Sequence, residues 1–299
     1  MGYDSRWDAT SPLRYPGSKR RLVPQIAAHL GPATHLVEPF AGSAAVSLGM
    51  LEMGAVETAT ICDADPAISD FFTVATTDPD WLIEAMHAET ITVDRFDEHK
   101  AAAVGDDGSR SPEAVRDRAL RTLFLNRTSF SGLLTSNAGP IGGRGQAGRY
   151  RIACRFNRDR LTRQIRNLAT LATAGRLVVA PTADWSETLA HHPGPAYLDP
   201  PYVDKARRLY RRHFDTTDHA RLAQTLARRQ HWVLSYDNTD TVHELYRDLV
   251  ERQELNLYHP AHTYTTTGAR RAHGPGRELL LVRSPSHAPA HTTREGIHR

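Results

Sequence analysis

The tetrad Asp199-Pro200-Pro201-Tyr202 follows the short apolar run Ala196-Tyr197-Leu198. Neither proline carries the N–H that a strand ladder needs, so a strand through Leu198 must stop at Asp199, and the two rings hold the next turn rigid. The strand end then presents one carboxylate beside main-chain carbonyls that have no strand partner. Two neighbouring acceptors suit an NH₂ group, which has two donors. Tyr202 can cover the face of a planar ring. In open α/β sheets the carboxyl edge of the strands is where ligands bind. The plainer alternative is a strand closed by a proline turn, with Asp199 as a cap.

A second constellation lies upstream. His35-Leu36-Val37 reads as a buried strand running into Glu38-Pro39-Phe40-Ala41-Gly42-Ser43-Ala44-Ala45, with a helix through about Met53. A strand, a loop of small residues and a helix bring backbone N–H groups close to a ligand. Thr58 to Cys62 reads as the next strand, and Asp63 stands 21 positions after Gly42 (63 − 42). That separation puts an acid at a bound ribose hydroxyl in doubly wound folds; the alternative is a cap on a helix from near Pro66. Arg14-Tyr15-Pro16-Gly17-Ser18-Lys19 reads as a turn in which Ser18 caps a helix from Lys19 to Leu30.

The elements needed to hold these residues alternate along the chain. Helices are expected over Asp65–Thr77, Trp81–Lys100 and Pro112–Phe130, then a glycine-rich loop from Ser131 to Gly148, and a basic helix to about Ala172. A long glycine-rich loop in a compact chain is functional or mobile. Strands at Leu177–Ala180, Ala196–Leu198 and Trp232–Tyr236 alternate with helices at Ala183–Leu189, Thr216–Arg229 and Thr239–Leu249. Two last strands, Glu254–Tyr264 and Glu278–Arg283, have no helix between them and should pair antiparallel. The pattern is α/β. The ends, 1–11 and 285–299, read as disordered.

The chain has 299 residues, 40% hydrophobic and 24% charged, an ordinary globular composition with no apolar run long enough to cross a bilayer. Its N-terminus lacks the basic start and apolar core of a secretory signal. Cys62 and Cys154 are the only cysteines and have no metal-ligand spacing, which fits a reduced cytoplasmic protein and no metal site. The net charge is only +3, but it is uneven. Fifteen acids lie between Leu51 and Glu113 against three basic residues, and eight arginines between Arg144 and Arg166 against Asp159 alone. A second basic cluster, Lys205, Arg207, Arg208, Arg211 and Arg212, follows the tetrad. Two basic clusters flanking one candidate site point to nucleic acid, with the acidic stretch as a solvated face.

Arg14 to Lys19, Glu38 to Val46, Ile61 to Asp65, Leu125-Asn126-Arg127 with Gly132-Leu133, Gly148-Arg149-Tyr150, Asp199 to Tyr202 and Ser235 to Asn238 occur in the order found in one family. In these motifs the chain resembles the Dam-like (D12 class) DNA adenine-N6 methyltransferases from about residue 12 to 284. The tetrad is shared with other amino-methyltransferases; its combination with the motif ending at Lys19 and the Asn126-Arg127 helix is specific. The resemblance implies a class I S-adenosylmethionine-dependent methyltransferase, with a mostly parallel seven-stranded sheet and an antiparallel C-terminal hairpin strand. It also implies a catalytic core of 12–78 and 174–284, with a helical target-recognition insert over about 79–173. Carried over, Tyr15, Lys19, Glu38, Phe40, Gly42, Asp63 and Asp199 line the cofactor site. Asp199, Pro200 and Tyr202 hold a flipped-out adenine, and Asn126, Arg127, Arg149 and Tyr150 face double-stranded DNA. Two departures stand out: Ala44 where the family often has a second glycine, and Ser131 where it often has asparagine.

The resemblance implies a site-specific enzyme that works as a monomer, with a cognate restriction nuclease or defence system as an open question of partnership. Methylation of cytosine N4, of an RNA base or of a glutamine amide is the competing chemistry. A catalytically weak DNA-binding relative is the competing class.

Overall fold

The computed structural model describes residues 11–15, 17–134, 137–181, 184–202, 214–260 and 278–284. The expected basic cluster from Lys205 to Arg212, the loop between the last two strands and the chain ends before Ser11 and after Ser284 lie outside the described residues. Ser11 itself is tied down, because Gln164 Nε2 donates to its carbonyl at 2.9 Å.

Strands β1 (Ala33–Glu38), β2 (Val56–Ile61), β3 (Leu177–Val179), β4 (Ala196–Leu198), β5 (Trp232–Asp237), β6 (Asn256–Tyr258) and β7 (Glu278–Arg283) form one sheet in the order β3-β2-β1-β4-β5-β7-β6. Strands β1 to β5 run parallel, and β7 is antiparallel to both β5 and β6. From β1 the order runs out through β2 and β3 on one side and through β4 and β5 on the other. The crossovers therefore diverge between β1 and β4, and a crevice opens at the carboxyl ends of those two strands. Glu38 ends β1, Asp63 follows β2, and Asp199 follows β4, so the topology gathers all three expected acids at that crevice.

Both faces of the sheet are covered, which is why β4 and β5 read as continuous apolar runs. Tyr197, Val233, Leu280 and Val282 pack into one apolar cluster, and Ala196, Leu198, Trp232, Leu234, Leu279 and Leu281 into the other, the period-two alternation of a pleated sheet. The first cluster is closed by α1 (Val23–Leu30), α2 (Ala45–Glu52), α3 (Pro66–Thr77) and, between β2 and β3 in sequence, by α4 (Pro79–Ala88), α5 (Val93–Val104), α6 (Pro112–Thr128) and α7 (Arg158–Thr173). The second is closed by α8 (Trp185–His191), α9 (Thr216–Ala227) and α10 (Asp240–Glu251).

Three local expectations are corrected. The single helix expected over 81–100 is two, α4 and α5. The β-branched run Thr90-Ile91-Thr92 disfavours continuation, and Thr92 caps α5 by accepting from Arg95 N at 3.1 Å. Ser18 makes no side-chain cap; it precedes a 3₁₀ turn, Lys19–Leu22, and α1 starts afterwards with Pro24 in its first turn. The acidic stretch is not simply a solvated face. Asp70 is fully buried and paired with Arg110 and Arg118, Asp106 with Arg118 and Arg121, Asp78 with Arg116, and Glu89 with Arg95. These pairs fasten α6 and the turn before it to α3, and tie α5 to the segment that precedes it.

Candidate active site

The loop after β1 is fixed from three directions. Cys62 N donates to the Glu38 carbonyl at 3.1 Å and Ala41 N to the Cys62 carbonyl at 2.9 Å, extending the β1–β2 pairing into the loop. Asp63 takes Gly42 N on Oδ2 and Asp65 N on Oδ1, each at 2.8 Å. Glu38 Oε2 accepts from Ser47 N at 2.8 Å and so caps α2, whose own N-cap, Ala44, has no side chain able to do it. Gly42 sits at φ +49° against the Tyr15 ring, and a Cβ there would lie 3.1 Å from it. Asp65, not Asp63, caps α3 by accepting from Ala67 N.

These elements bound a cavity of about 290 Å³. Tyr15, Lys19, Glu38, Phe40, Gly42, Asp63 and Asp199, all seven expected to share one site, line it. Asp65, Asp184, Trp185, Phe214 and Asp218 line it too and were not anticipated. Asp184 had a readable signal: it follows β3 and opens α8, as Asp63 follows β2, and its Oδ1 caps that helix. Trp185 and Phe214 had none, because their rings meet Phe40 (6.1 and 5.6 Å between centroids) only through the fold.

The cavity wall carries six carboxylates, Glu38, Asp63, Asp65, Asp184, Asp199 and Asp218, against one basic side chain, Lys19, among the described residues. Burial pushes the Glu38 carboxyl up to about 8, opposed by its hydrogen bonds with Ser47. Aromatic rings form the other wall. An acceptor-rich lining of this kind fits a cationic ligand with a flat ring and hydroxyl groups.

Asp199 stands at the mouth between β1 and β4, with 23% of its side chain exposed. Lys19, only 4% exposed, donates to its Oδ2 at 2.8 Å and its Oδ1 at 3.0 Å, and to the Gly17 carbonyl at 2.9 Å. Lys19 Nζ is also 3.3 Å from Glu278 Oε1, which accepts from Tyr202 Oη at 3.1 Å. Burial disfavours the Lys19 charge, but Asp199, Tyr197 and Glu278 outweigh it and hold the ammonium protonated well above the ordinary lysine range. Burial raises the Asp199 carboxyl to about 6; Lys19 pulls it down and Glu278 pushes it up. Among the described residues no hydrogen bond reaches the Pro200 carbonyl. Tyr202 lies beside Lys19, 5.2 Å from Nζ to the ring centroid, and does not line the cavity.

The family model for the D12 class N6 adenine-specific DNA methyltransferases matches residues 15–266. The chain belongs to this family. Two curated relatives from strains of Vibrio cholerae serotype O1, each called DNA adenine methylase, are 24% identical to it over 292 residues, covering 91% of this chain and 95% of theirs. Membership makes the chain an adenine-specific DNA methyltransferase of class I fold, with DNA as its substrate and a methyl donor as its second reactant.

For a member of this family, the expected DNA-facing residues divide in two. Arg149 and Tyr150 are exposed on the surface, with the guanidinium 5.6 Å from the ring centroid. Asn126 is 0% exposed and has no surface to offer. It accepts from Arg14 N at 2.7 Å and donates to the carbonyls of Arg14 (2.6 Å) and Gly132 (3.0 Å), so it clamps the segment that carries Tyr15 to α6. Arg127 is 7% exposed; its Nε has no hydrogen-bond partner and no carboxylate pairs with it among the described residues. Burial, then the charges of Arg14, Arg160 and Arg155, pull its pKa down to about 10. The glycine-rich loop is braced: Gln146 donates to the carbonyls of Ile141 and Gly143 and accepts from Ile152 N.

Proposed function

We propose that this chain methylates N6 of an adenine turned out of double-stranded DNA, with S-adenosylmethionine as the donor and at one sequence context. The observation that carries the reading is the pair of acceptors at the end of β4, the Asp199 carboxylate and the Pro200 carbonyl, beside an acidic, aromatic-walled cavity. Glu38, Asp63, Asp184 and the Gly42 loop would hold the donor, with Phe40, Trp185 and Phe214 against its base. Bound there, S-adenosylmethionine supplies an electrophilic methyl group on a sulfonium.

The rest is done by the chain. The adenine amine is a poor nucleophile because its lone pair is delocalised into the ring. Asp199 and the Pro200 carbonyl each accept one N–H, draw the nitrogen toward tetrahedral geometry and free that lone pair; the acceleration is positioning and electrostatics. Asp199 then stands in reach of the proton the alkylated amine must lose. Tyr202 stacks on the extruded base, which has to leave the duplex to be reached. Arg127, with Arg14, Arg155 and Arg160 around it, is the phosphate-binding face, and Arg149 with Tyr150 is the groove-facing pair. Residues 79–173 act as the target-reading insert on a core of 12–78 and 174–284.

The test is direct. Purified chain, unmethylated duplex DNA and S-adenosylmethionine should yield N6-methyldeoxyadenosine on nucleoside digestion, and Asp199→Asn should lower the rate at least about a hundredfold, the scale on which one lost charge-stabilising contact acts. N4-methyldeoxycytidine as the product, or an Asp199→Asn variant within tenfold of wild type, would overturn the reading.

A further inference from the structure

The glycine-rich loop carries an arginine that neither the catalytic site nor the buried arginine face uses. Arg144 stands at the apex of the loop, between Gly143 and Gly145, and grips Asp97 of α5 with both arms of its guanidinium. Nη1 donates to Oδ2 at 2.8 Å and Nη2 to Oδ1 at 3.0 Å. The pair is open to solvent, with 72% of the Arg144 side chain and 39% of that of Asp97 exposed. The carboxylates of Asp70 and Asp106 are largely buried and join α6 to its neighbours; the Asp97 pair joins only a loop apex to a helix surface. An ion pair that exposed adds little stability and is screened by salt, so its partner is readily exchanged.

The loop is built to let only the apex move. Its stem pairs with the residues that follow Arg127: Ile141 N donates to the Thr128 carbonyl at 2.8 Å and Phe130 N to the Gly139 carbonyl at 2.9 Å. Lys100, one turn after Asp97 on α5, donates to the Ala138 carbonyl at 2.8 Å. Gln146 ties the two sides of the neck together, and Gly142 lies so close to the Tyr150 carbonyl that a Cβ there would collide with it. Beyond this neck the Cβ positions of Gly143 and Gly145 face open space. The apex thus swings from a fixed base, and that base lies between the Arg127 segment and the exposed Arg149-Tyr150 pair.

We propose that Arg144 is a DNA-contacting residue held in reserve by Asp97, whose carboxylate fills the guanidinium fork until an acceptor on DNA displaces it. A carboxylate, a backbone phosphate and the O6/N7 edge of guanine all offer a guanidinium two acceptors side by side, so each can take the place of the others. Asp97 is then an internal competitor. Every duplex has to displace it before gaining the Arg144 contact, and DNA that offers no well-placed acceptor leaves the pair closed. The inference rests on the placement of the insert over DNA given above.

The experiment is equilibrium binding of the full chain to mixed-sequence unmethylated duplex DNA at low salt, for Asp97→Asn, Arg144→Ala, the double variant and Asp94→Asn. Arg144→Ala should weaken binding and Asp97→Asn should tighten it, each by about threefold or more, the scale on which an exposed ion pair acts. Asp94 is exposed one turn earlier on α5, so Asp94→Asn reads the effect of a lost negative charge alone and should change affinity less than about 1.5-fold. In the Arg144→Ala background Asp97→Asn should likewise add less than about 1.5-fold, because its effect runs through Arg144. An unchanged affinity in Asp97→Asn, or the same gain with and without Arg144, overturns the proposal. Repeating Arg144→Ala on duplexes with and without the methylated site names the acceptor: an equal loss on both is a phosphate, a loss confined to the site is a guanine edge. If Arg127→Met and Arg149→Ala bind DNA as the wild type does, the placement of DNA on the insert falls and this inference with it. Weaker binding in those two variants with indifferent Asp97→Asn and Arg144→Ala overturns this inference alone.

Discussion

Asp63 holds Gly42: its Oδ2 accepts the glycine N–H at 2.8 Å, while Oδ1 accepts Asp65 N at the same distance. The 21-residue spacing that places an acid at a ribose also places it on the loop the ribose would approach. Asp63→Ala leaves two main-chain donors without their acceptor. It should lower stability by about 1–3 kcal/mol and weaken donor binding in the same variant. Thermal melting and calorimetry check this together. Weaker binding with an unchanged melting temperature would mean that Asp63 serves the ligand alone.

Arg127 carries a prediction with two opposite signs. A buried guanidinium without a counter-ion destabilises the fold; among the described residues no carboxylate pairs with Arg127, and three more arginines surround it. Arg127→Met should stabilise the free chain, by about 1 kcal/mol or more. The same change should weaken DNA binding on all sequences and reduce the salt slope by roughly one unit. Asn126→Ala should do the reverse: it loses the Arg14 and Gly132 bonds and melts lower, without a changed salt slope. Denaturant melts and binding over a salt series separate the two.

Backbone strain marks the two departures from the family pattern. Ala44 has φ +52° and Ser131 φ +58°, the left-handed region where glycine and asparagine are at ease and other residues lose about 1–2 kcal/mol. Ser131→Gly and Ser131→Asn should therefore raise stability by ~1 kcal/mol. Ala44→Gly should gain little, because it also removes a fully buried methyl worth about 0.8 kcal/mol. Equal gains at both positions in chemical denaturation would contradict this account.

Glu38 links ligand binding to protons. Its folded pKa, about 8, lies above the ordinary carboxyl value, so the folded state holds its proton where the unfolded chain has released it. Its effect on stability is absent below the unfolded pKa and unfavourable through the window up to about 8, so stability falls as pH rises across that window. Glu38→Gln should flatten that slope. A cationic donor entering the cavity favours the ionised carboxyl, so binding near pH 7 should release a proton. Calorimetry in two buffers of different ionisation enthalpy reads that release, and a buffer-independent heat would refute it. Asp199 sets a second limit: with its carboxyl near 6, turnover should fall as pH drops through that value.

Sequence alone determined the order of strands and helices, because buried parallel strands read as short apolar runs and their helices carry legible caps and breaks. It also determined that Glu38, Asp63 and Asp199 each end a strand, which in a parallel sheet is enough to bring them to one edge. Whether a polar side chain on a helix faces outward was not legible, since a motif fixes residue type and spacing but not which face is covered. Asn126 is a clamp and Arg127 is buried because α6 packs on α3 and on the segment before Tyr15. Trp185 and Phe214 reach Phe40 by packing alone. Glu278 reaches Lys19 and Tyr202 only because β7 turns back antiparallel beside β5, and pairing partners so far apart in the chain are set by sheet register, which no local run of residues encodes.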